Sequence, residues 1–312
     1  MDKRGSGIRW GVEQRLEFIE FRLYWEGRIN RSDITSFFGV SVPQASKDLS
    51  AYQSHAPGNM EYDKSEKHYF ASASFKPVFQ DPGVDRYLEY LHIVAEDSGR
   101  TEKTWLSTPP PVESLLMPHR NIDPQGFRAV LDAVRQTGSL EVKYQSMSIN
   151  RPEPIWRLIT PHAFAHDGLR WHVRAYCHHQ EQFRDFLLSR ILETRASEER
   201  GPDADADLTW QERVAVRVTP HPDLTSAQKD TVARDYGMED LELSMNVRLA
   251  LLYYLLRRLD LDFNERNKPA REQHIVLANA EEVRIALDRA QYKQNEPPKV
   301  QIEPDLATNR IS

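Results

Sequence analysis

The sequence predicts an α+β multidomain chain, and three observations carry that expectation. Residues 12–52 read as helix, tight glycine turn, helix, and a charged-tipped hairpin follows them. From Leu140 to Ile191 the polarity alternates at period two, as in half-buried strands. Beyond Val214 strand and helix patterns alternate in the manner of a small α/β domain. At 312 residues the chain has length for two or three domains and ample core.

The first helix is expected over Val12–Trp25, where Leu16, Phe18, Ile19, Leu23 and Trp25 recur at helical spacing and Gly27 marks a stop. Ser32 is a plausible N-cap for a short helix containing Ile34, Phe37 and Phe38 and ended by Gly39. Ser41 caps the next helix, with Pro43 in its first turn and Ala45 and Leu49 facing inward. This spacing fits a helix-turn-helix, whose second helix would enter a major groove and present Gln44, Ser46 and Lys47 to base edges. Ser41 and the helix N-terminus would hold a phosphate. Met60–Tyr62 and His68–Phe70 pair as a wing whose tip carries Lys64 and Lys67 near the DNA backbone. The alternative is a small helical bundle whose polar positions are simply solvated.

Residues 76–122 read as a linker with one helix over Val84–Glu96 and a stiff spacer at Pro109–Pro111. Asp123 caps a helix with Phe127, Val130, Leu131 and Val134 on one face, closed by Gly138. Leu140, Val142 and Tyr144 begin a strand, residues 145–148 continue or turn it, and Trp156–Pro161 forms the next strand before a turn at His166–Gly168. In the following hairpin Trp171, Val173 and Ala175 point to one face and His172, Arg174 and Tyr176 to the other. The expected result is a strongly bent antiparallel sheet of about four or five strands. Arg174, Arg184 and Arg190, gathered on adjacent strands, are costly to leave unpaired near a core. An anionic ligand such as phosphate would satisfy them, as would internal pairing with Glu141, Glu153, Asp185 or Glu193.

Glu198–Asp207 reads as an exposed linker. After it come a strand at Val214–Val218, a helix capped by Thr225 and stopped by Gly237, a strand at Leu241–Met245 and an apolar helix over Val247–Leu259. A strand at Ile275–Leu277 and a helix over Ala280–Arg289 complete this block, and a polar tail is expected to be disordered.

Composition narrows the function classes. A net charge of −6 argues against a chain coated over its whole surface with nucleic acid but permits one basic patch. The single cysteine, Cys177, excludes an internal disulfide and a thiolate metal cage. No apolar run approaches the roughly 18 residues of a membrane span and no signal-peptide pattern opens the chain, so a cytoplasmic protein is expected. The eleven histidines form no HExxH run, and GxxxxGK[ST], GxGxxG and GxSxG are absent. No metal, cofactor or catalytic residue is therefore expected. A nucleotide-processing enzyme acting through the arginines is the alternative, with His162 or His172 as the general base it would need.

Gly168, Arg170 and Trp171–Val173, followed by Arg184-x-Phe186 and Ser189–Ile191, resemble the signature of the WYL domain of bacterial regulators, with His172 and Val173 where the family has tyrosine and leucine. The resemblance implies an Sm-like sheet and a polar pocket that takes a nucleotide or nucleic-acid fragment. Tyr144, Ser146, His162, Arg174, Arg184 and Arg190 match the pocket pattern. It also implies the order winged helix-turn-helix over 1–75, helical linker over 76–122, WYL ligand-sensing domain over 123–200, WCX-like C-terminal dimerisation domain over 208–291 and tail over 292–312. Over roughly residues 10–290 the chain is similar to the BrxR/CapW-type regulators of BREX and CBASS phage-defence operons. The expectation is a homodimeric, ligand-responsive repressor on a double-stranded operator.

Overall fold

The computed structural model describes residues 10–79, 83–96, 104–115, 118, 120–147, 152–261 and 268–295. They fall into two compact units, divided after Met117.

In the first unit α1 (Trp10–Glu26) leads through the two-residue strand β1 (Arg28–Ile29) into α2 (Arg31–Phe38) and α3 (Val42–His55). Hairpin β2 (Met60–Asp63) and β3 (His68–Ala71) follows, and β1 joins β3 in a three-stranded antiparallel sheet of order β1-β3-β2. This is the winged helix the sequence predicts. The cap of α2 is Asn30 rather than Ser32: the Asn30 side chain accepts from the Asp33 amide while Asp33 accepts from the Asn30 amide. Two donors are satisfied by one reciprocal pair, which a serine already inside the helix does not achieve. Gly39 closes α2 at φ 67°, a left-handed conformation that β-carbon crowding makes costly for other residues. Leu16, Phe18, Ile19, Ile34, Ala45 and Leu49 are buried together where the three helices meet.

Helix α4 (Val84–Glu96) and Trp105 add to that core. Trp105 is 7% exposed and stands edge-on to Phe18 and Phe21, with their ring centroids 5.7 and 5.5 Å away. Glu20, also buried, accepts from the Val78 and Phe79 amides at 2.8 Å and from Tyr52 Oη at 3.2 Å. A buried carboxylate is tolerated when its lone pairs are used in this way.

The second unit begins with α5 (Pro124–Gln136), capped by Asp123 and closed by Thr137 at φ 50°, one residue before the expected Gly138. Strands β4 (Leu140–Tyr144), β5 (Ile155–His166), β6 (Trp171–Cys177), β7 (Gln182–Leu187) and β8 (Ile191–Ala196) form one antiparallel sheet of order β7-β6-β5-β4-β8. Val130 and Ala133 of α5 pack on Val142, Ile159, Val173, Ala175 and Cys177 from one side of it. β5 does not stop at Pro161. It runs on to His166 through a register shift between Pro161 and Ala163. A proline has no N–H for the ladder and is accommodated at such a bulge.

Beyond the sheet lie α6 (Leu208–Gln211), β9 (Arg213–Pro220), α7 (Ser226–Asp235), β10 (Leu243–Arg248), α8 (Leu252–Arg258), β11 (Ile275–Leu277) and α9 (Ala280–Asn295). The strands form an antiparallel sheet of order β10-β9-β11. The apolar stretch expected as one helix from Val247 divides: β10 runs to Arg248, a 3-10 turn covers Leu249–Leu251, and only then does α8 begin. Val216, Val218, Leu252, Leu256 and Val283 are buried at the centre. α9 continues to Asn295, past the start of the expected disordered tail, and residues 296–312 lie outside those described. Among the described residues no helix is long and apolar enough to cross a membrane.

Candidate functional site

The first candidate surface is α3 with the wing. Ala45, Asp48, Leu49 and Tyr52 are the buried side of α3, so the opposite side is free to meet a duplex. Asp48 fixes the helix on α1 through Arg15, whose Nε and Nη2 donate to its two oxygens at 2.7 and 3.3 Å. Ser41 is exposed, and its Oγ accepts the Gln44 amide at 3.4 Å. Lys47 is exposed on the same helix, and Lys64 and Lys67 are exposed at the wing tip. There Asp63 accepts from the Ser65 amide and hydroxyl and from the Glu66 amide, folding the tip on itself. Those bonds hold the Asp63 carboxyl below its usual range.

Two of the expected base readers are already engaged. Gln44 Nε2 donates to Asp48 at 2.9 Å, and Ser46 Oγ accepts from Arg31 Nε at 3.0 Å. Sequence reasoning missed Arg31 altogether.

The second candidate is the sheet of the second unit, and here the expected convergence of three arginines fails. Arg174 lies directly across from Asp185, and Ala175 directly across from Arg184. Cross-strand partners share a face and successive residues alternate, so Arg174 and Arg184 point to opposite sides of the sheet. Arg184 is on the side packed by α5, where its guanidinium donates to the Gln180 side-chain oxygen. Arg157 Nη1 donates to that same oxygen at 3.3 Å and its guanidinium stands 6.0 Å from the Tyr144 ring centre. Arg157 is buried, and its Nε has no acceptor among the described residues. It was not among the expected ligand contacts. Tyr144 Oη accepts the Leu187 amide at 3.2 Å, and its ring meets Phe186 edge-on. Ser146 is half-buried just past β4. Arg190 is half-buried in the 3-10 turn before β8, and its carbonyl accepts the Gln145 amide at 3.1 Å.

On the other face Arg174, 1% exposed, is neutralised from within. Its Nε and Nη2 donate to the two oxygens of Asp207 at 2.7 and 3.1 Å, Nη2 also reaches Thr209 Oγ1 at 2.5 Å, and Nη1 reaches Asp185 at 3.2 Å. His162, the extra residue of the β5 bulge, places Nε2 3.0 Å from the same Asp207. An ionised carboxylate only accepts, so this nitrogen carries the proton. The ring is held edge-on between Phe183 and Trp210. Burial alone would raise the Asp207 carboxyl, but the bonds from His162, Arg174 and Thr209 hold it well below the usual carboxylate range.

Asp207 was expected in an exposed linker; it is 1% exposed. Gly201, earlier in that linker, lies so close to Thr160 that a β-carbon would overlap its side chain. Tyr254 of α8 donates to Asp185 at 3.0 Å, and its ring lies 5.0 Å from that of His172. His172 Nε2 is 2.9 Å from Asp167. The face expected to hold an anion from solution therefore holds Asp207, and His162, His172 and Arg174 serve as its docking surface for α6 and α8. Among the described residues no group of His, Cys, Asp and Glu is arranged to hold a metal ion.

Three family models match the chain: the BrxR transcriptional regulator winged helix-turn-helix domain over residues 11–93, the WYL domain over 125–196, and the BrxR transcriptional regulator C-terminal dimerization domain over 213–283. The chain is similar to proteins named DNA-binding transcriptional repressor CapW. It is 42% identical to that of Pseudomonas aeruginosa over 282 residues, covering 90% of this chain and 94% of the relative. Identity to the CapW of Escherichia coli strain KTE188 is 41% over 284 residues, 90% and 93% of the two chains. For that of Stenotrophomonas maltophilia it is 40% over 287 residues, 91% and 95%. A solved structure, the proteasome accessory factor B/C of Arthrobacter aurescens, aligns with 94% of this chain and 51% of its own at 16% identity and a TM-score of 0.24, a likeness too slight to carry an argument.

Proposed function

Because this chain belongs to the family of DNA-binding transcriptional repressors that includes CapW, we propose that it represses transcription as a homodimer bound to a double-stranded operator. The observation that carries this reading is the open side of α3, with Lys47 exposed beside a wing whose tip exposes Lys64 and Lys67. Base contacts come from the N-terminal turns of α3 and backbone contacts from the wing and from Ser41. The C-terminal domain supplies the two-fold pairing that lets two winged helices meet a two-fold operator. The protein acts in the cytoplasm. The operator precedes a phage-defence operon of the BREX or CBASS kind, the setting implied by the resemblance of residues 10–290 to regulators of such operons.

The same reading includes a signal. An anionic ligand, a nucleotide or nucleic-acid fragment, binds the WYL sheet and lowers operator occupancy by favouring a DNA-incompetent arrangement. Support comes from the α5 side of the sheet, where Arg157 and Arg184 share one uncharged acceptor and Tyr144 offers a ring. The open Nε of the buried Arg157 suits a phosphate oxygen. Arg190, which has no ion pair among the described residues, and Ser146 extend this site. His162 and Arg174 contribute through Asp207 rather than by touching the ligand.

A mobility-shift titration with tiled duplexes from upstream of the native gene tests repression. One fragment should outcompete random duplex, with affinity falling steeply as salt rises. If no fragment outcompetes random duplex, the repressor reading fails. Addition of short oligonucleotides or mononucleotides should release the operator from the unmodified protein, and Arg190→Ala should block that release without weakening DNA binding.

A further inference from the structure

Arg31 is an unfavourable residue for its place. It occupies the first position of α2, where the helix dipole favours an anion and opposes a cation. A broken local rule of this kind marks a residue kept for another purpose. Its guanidinium is turned away from α2 toward two other elements. Nε donates to Ser46 Oγ on α3 at 3.0 Å, and Nη2 donates to Tyr69 Oη on β3 at 3.3 Å. The group also lies against the rings of Tyr62 and Tyr69, 5.7 and 5.9 Å from their centres. Those tyrosines face each other across the wing strands with centroids 4.7 Å apart. The neighbouring Asn30 adds a second tie, its Nδ2 lying 2.8 Å from His68 Nε2 at the base of the wing tip.

We infer that Arg31 is a positioning residue for DNA recognition: one rigid planar cation sets the angle between the recognition helix and the wing, so that Lys47 and the wing lysines engage a duplex together. The wing hairpin is held in its sheet by the two-residue strand β1, and Arg31 adds a side-chain anchor against both wing tyrosines. Arginine suits it, since its fork fixes two donors in one plane while its face stacks on aromatic rings. The inference rests on the DNA-binding reading and adds how the wing is delivered.

The test is a set of full-length variants titrated against the selected upstream duplex and against random duplex at several salt concentrations. Replacing Lys64 and Lys67 by Ala should weaken operator binding in the unmodified background and have little further effect once Arg31→Gln is present, because a freed wing no longer brings them to the backbone. Arg31→Gln alone should lower operator affinity about tenfold and reduce the operator salt slope as far as the Lys64 and Lys67 changes do, because the freed wing withdraws those lysines from the phosphates. Tyr69→Phe, which keeps the ring and loses one bond, should give a smaller loss of the same kind. Additive effects of Arg31→Gln and the wing changes, with the salt slope reduced by about one for both duplexes, would identify a direct phosphate contact and overturn the inference. Full operator affinity for a folded Arg31→Gln protein would overturn it as well. If the unmodified protein selects no fragment, it is the DNA-binding reading itself that falls.

Discussion

The exposed lysines of the winged helix and Arg174 of the WYL sheet have opposite fates. Lys47, Lys64 and Lys67 stand in solvent with their charges unspent, whereas Arg174 is closed off from water and bound by two carboxylates. An exposed lysine costs nothing to keep and can exchange its counter-ions for phosphates. A buried arginine is tolerated only if its charge is answered on the spot. Positive residues near a presumed site therefore do not by themselves indicate an anion binder. The first unit holds its charge ready for a partner, and the second uses the same chemistry to dock its own C-terminal elements.

The contrast can be broken most forcefully at Asp207. Asp207→Ala leaves Arg174 buried without its bidentate partner and should destabilise the second unit by roughly 3–5 kcal/mol in urea unfolding. Lys64→Ala with Lys67→Ala should leave the same unfolding curve unchanged, since both side chains are exposed.

Lys47→Ala should reverse that pattern, lowering operator affinity by about tenfold with the melting temperature preserved. Equal loss for operator and random duplex would mark Lys47 as a phosphate contact, and preferential loss for the operator as a base contact. Gln44→Ala should cost less in affinity than Lys47→Ala, and a small part of stability too, because its amide also braces Asp48.

Acid sharpens the comparison more gently. The Asp207 and Asp167 carboxyls lie below their ordinary range in the folded protein: burial opposes this, but the bonds they accept, those from His162 and His172 first, overcome it. Each therefore contributes stability that is complete above the ordinary carboxylate value of roughly 4 and is lost as pH falls below it. The second unit should weaken across that window when followed by fluorescence. Asp207→Asn should start less stable and show a shallower loss.

Much of this fold was readable from the chain. The helix-turn-helix follows from apolar spacing and from Ser41 and Gly39, which act locally, and the structure places Ala45 and Leu49 in the core as that spacing requires. The expectation that Arg174 and Arg184 share a pocket overlooked the hairpin register, which the four-residue turn between Cys177 and Gln182 fixes with the two on opposed faces. Asp207 was not legible. It lies 33 residues from Arg174 in a run of charges and small residues that looks solvated, and only the packing of α6 against the sheet turns it inward. Arg31 was hidden for the same reason: its partners Ser46 and Tyr69 are 15 and 38 residues away, and no local pattern joins them.

The account turns on whether Asp207 is the counter-ion of Arg174. A double-mutant cycle on the full-length protein, with Arg174→Met, Asp207→Leu and the pair measured by urea unfolding, tests this directly. Each single change should be severely destabilising, and the double variant should lose clearly less than the sum, because neither member of the pair is left without the other; Asp185 keeps only the Tyr254 hydroxyl, so recovery is partial. If the two losses simply add, the pair is not coupled and the docking account is wrong.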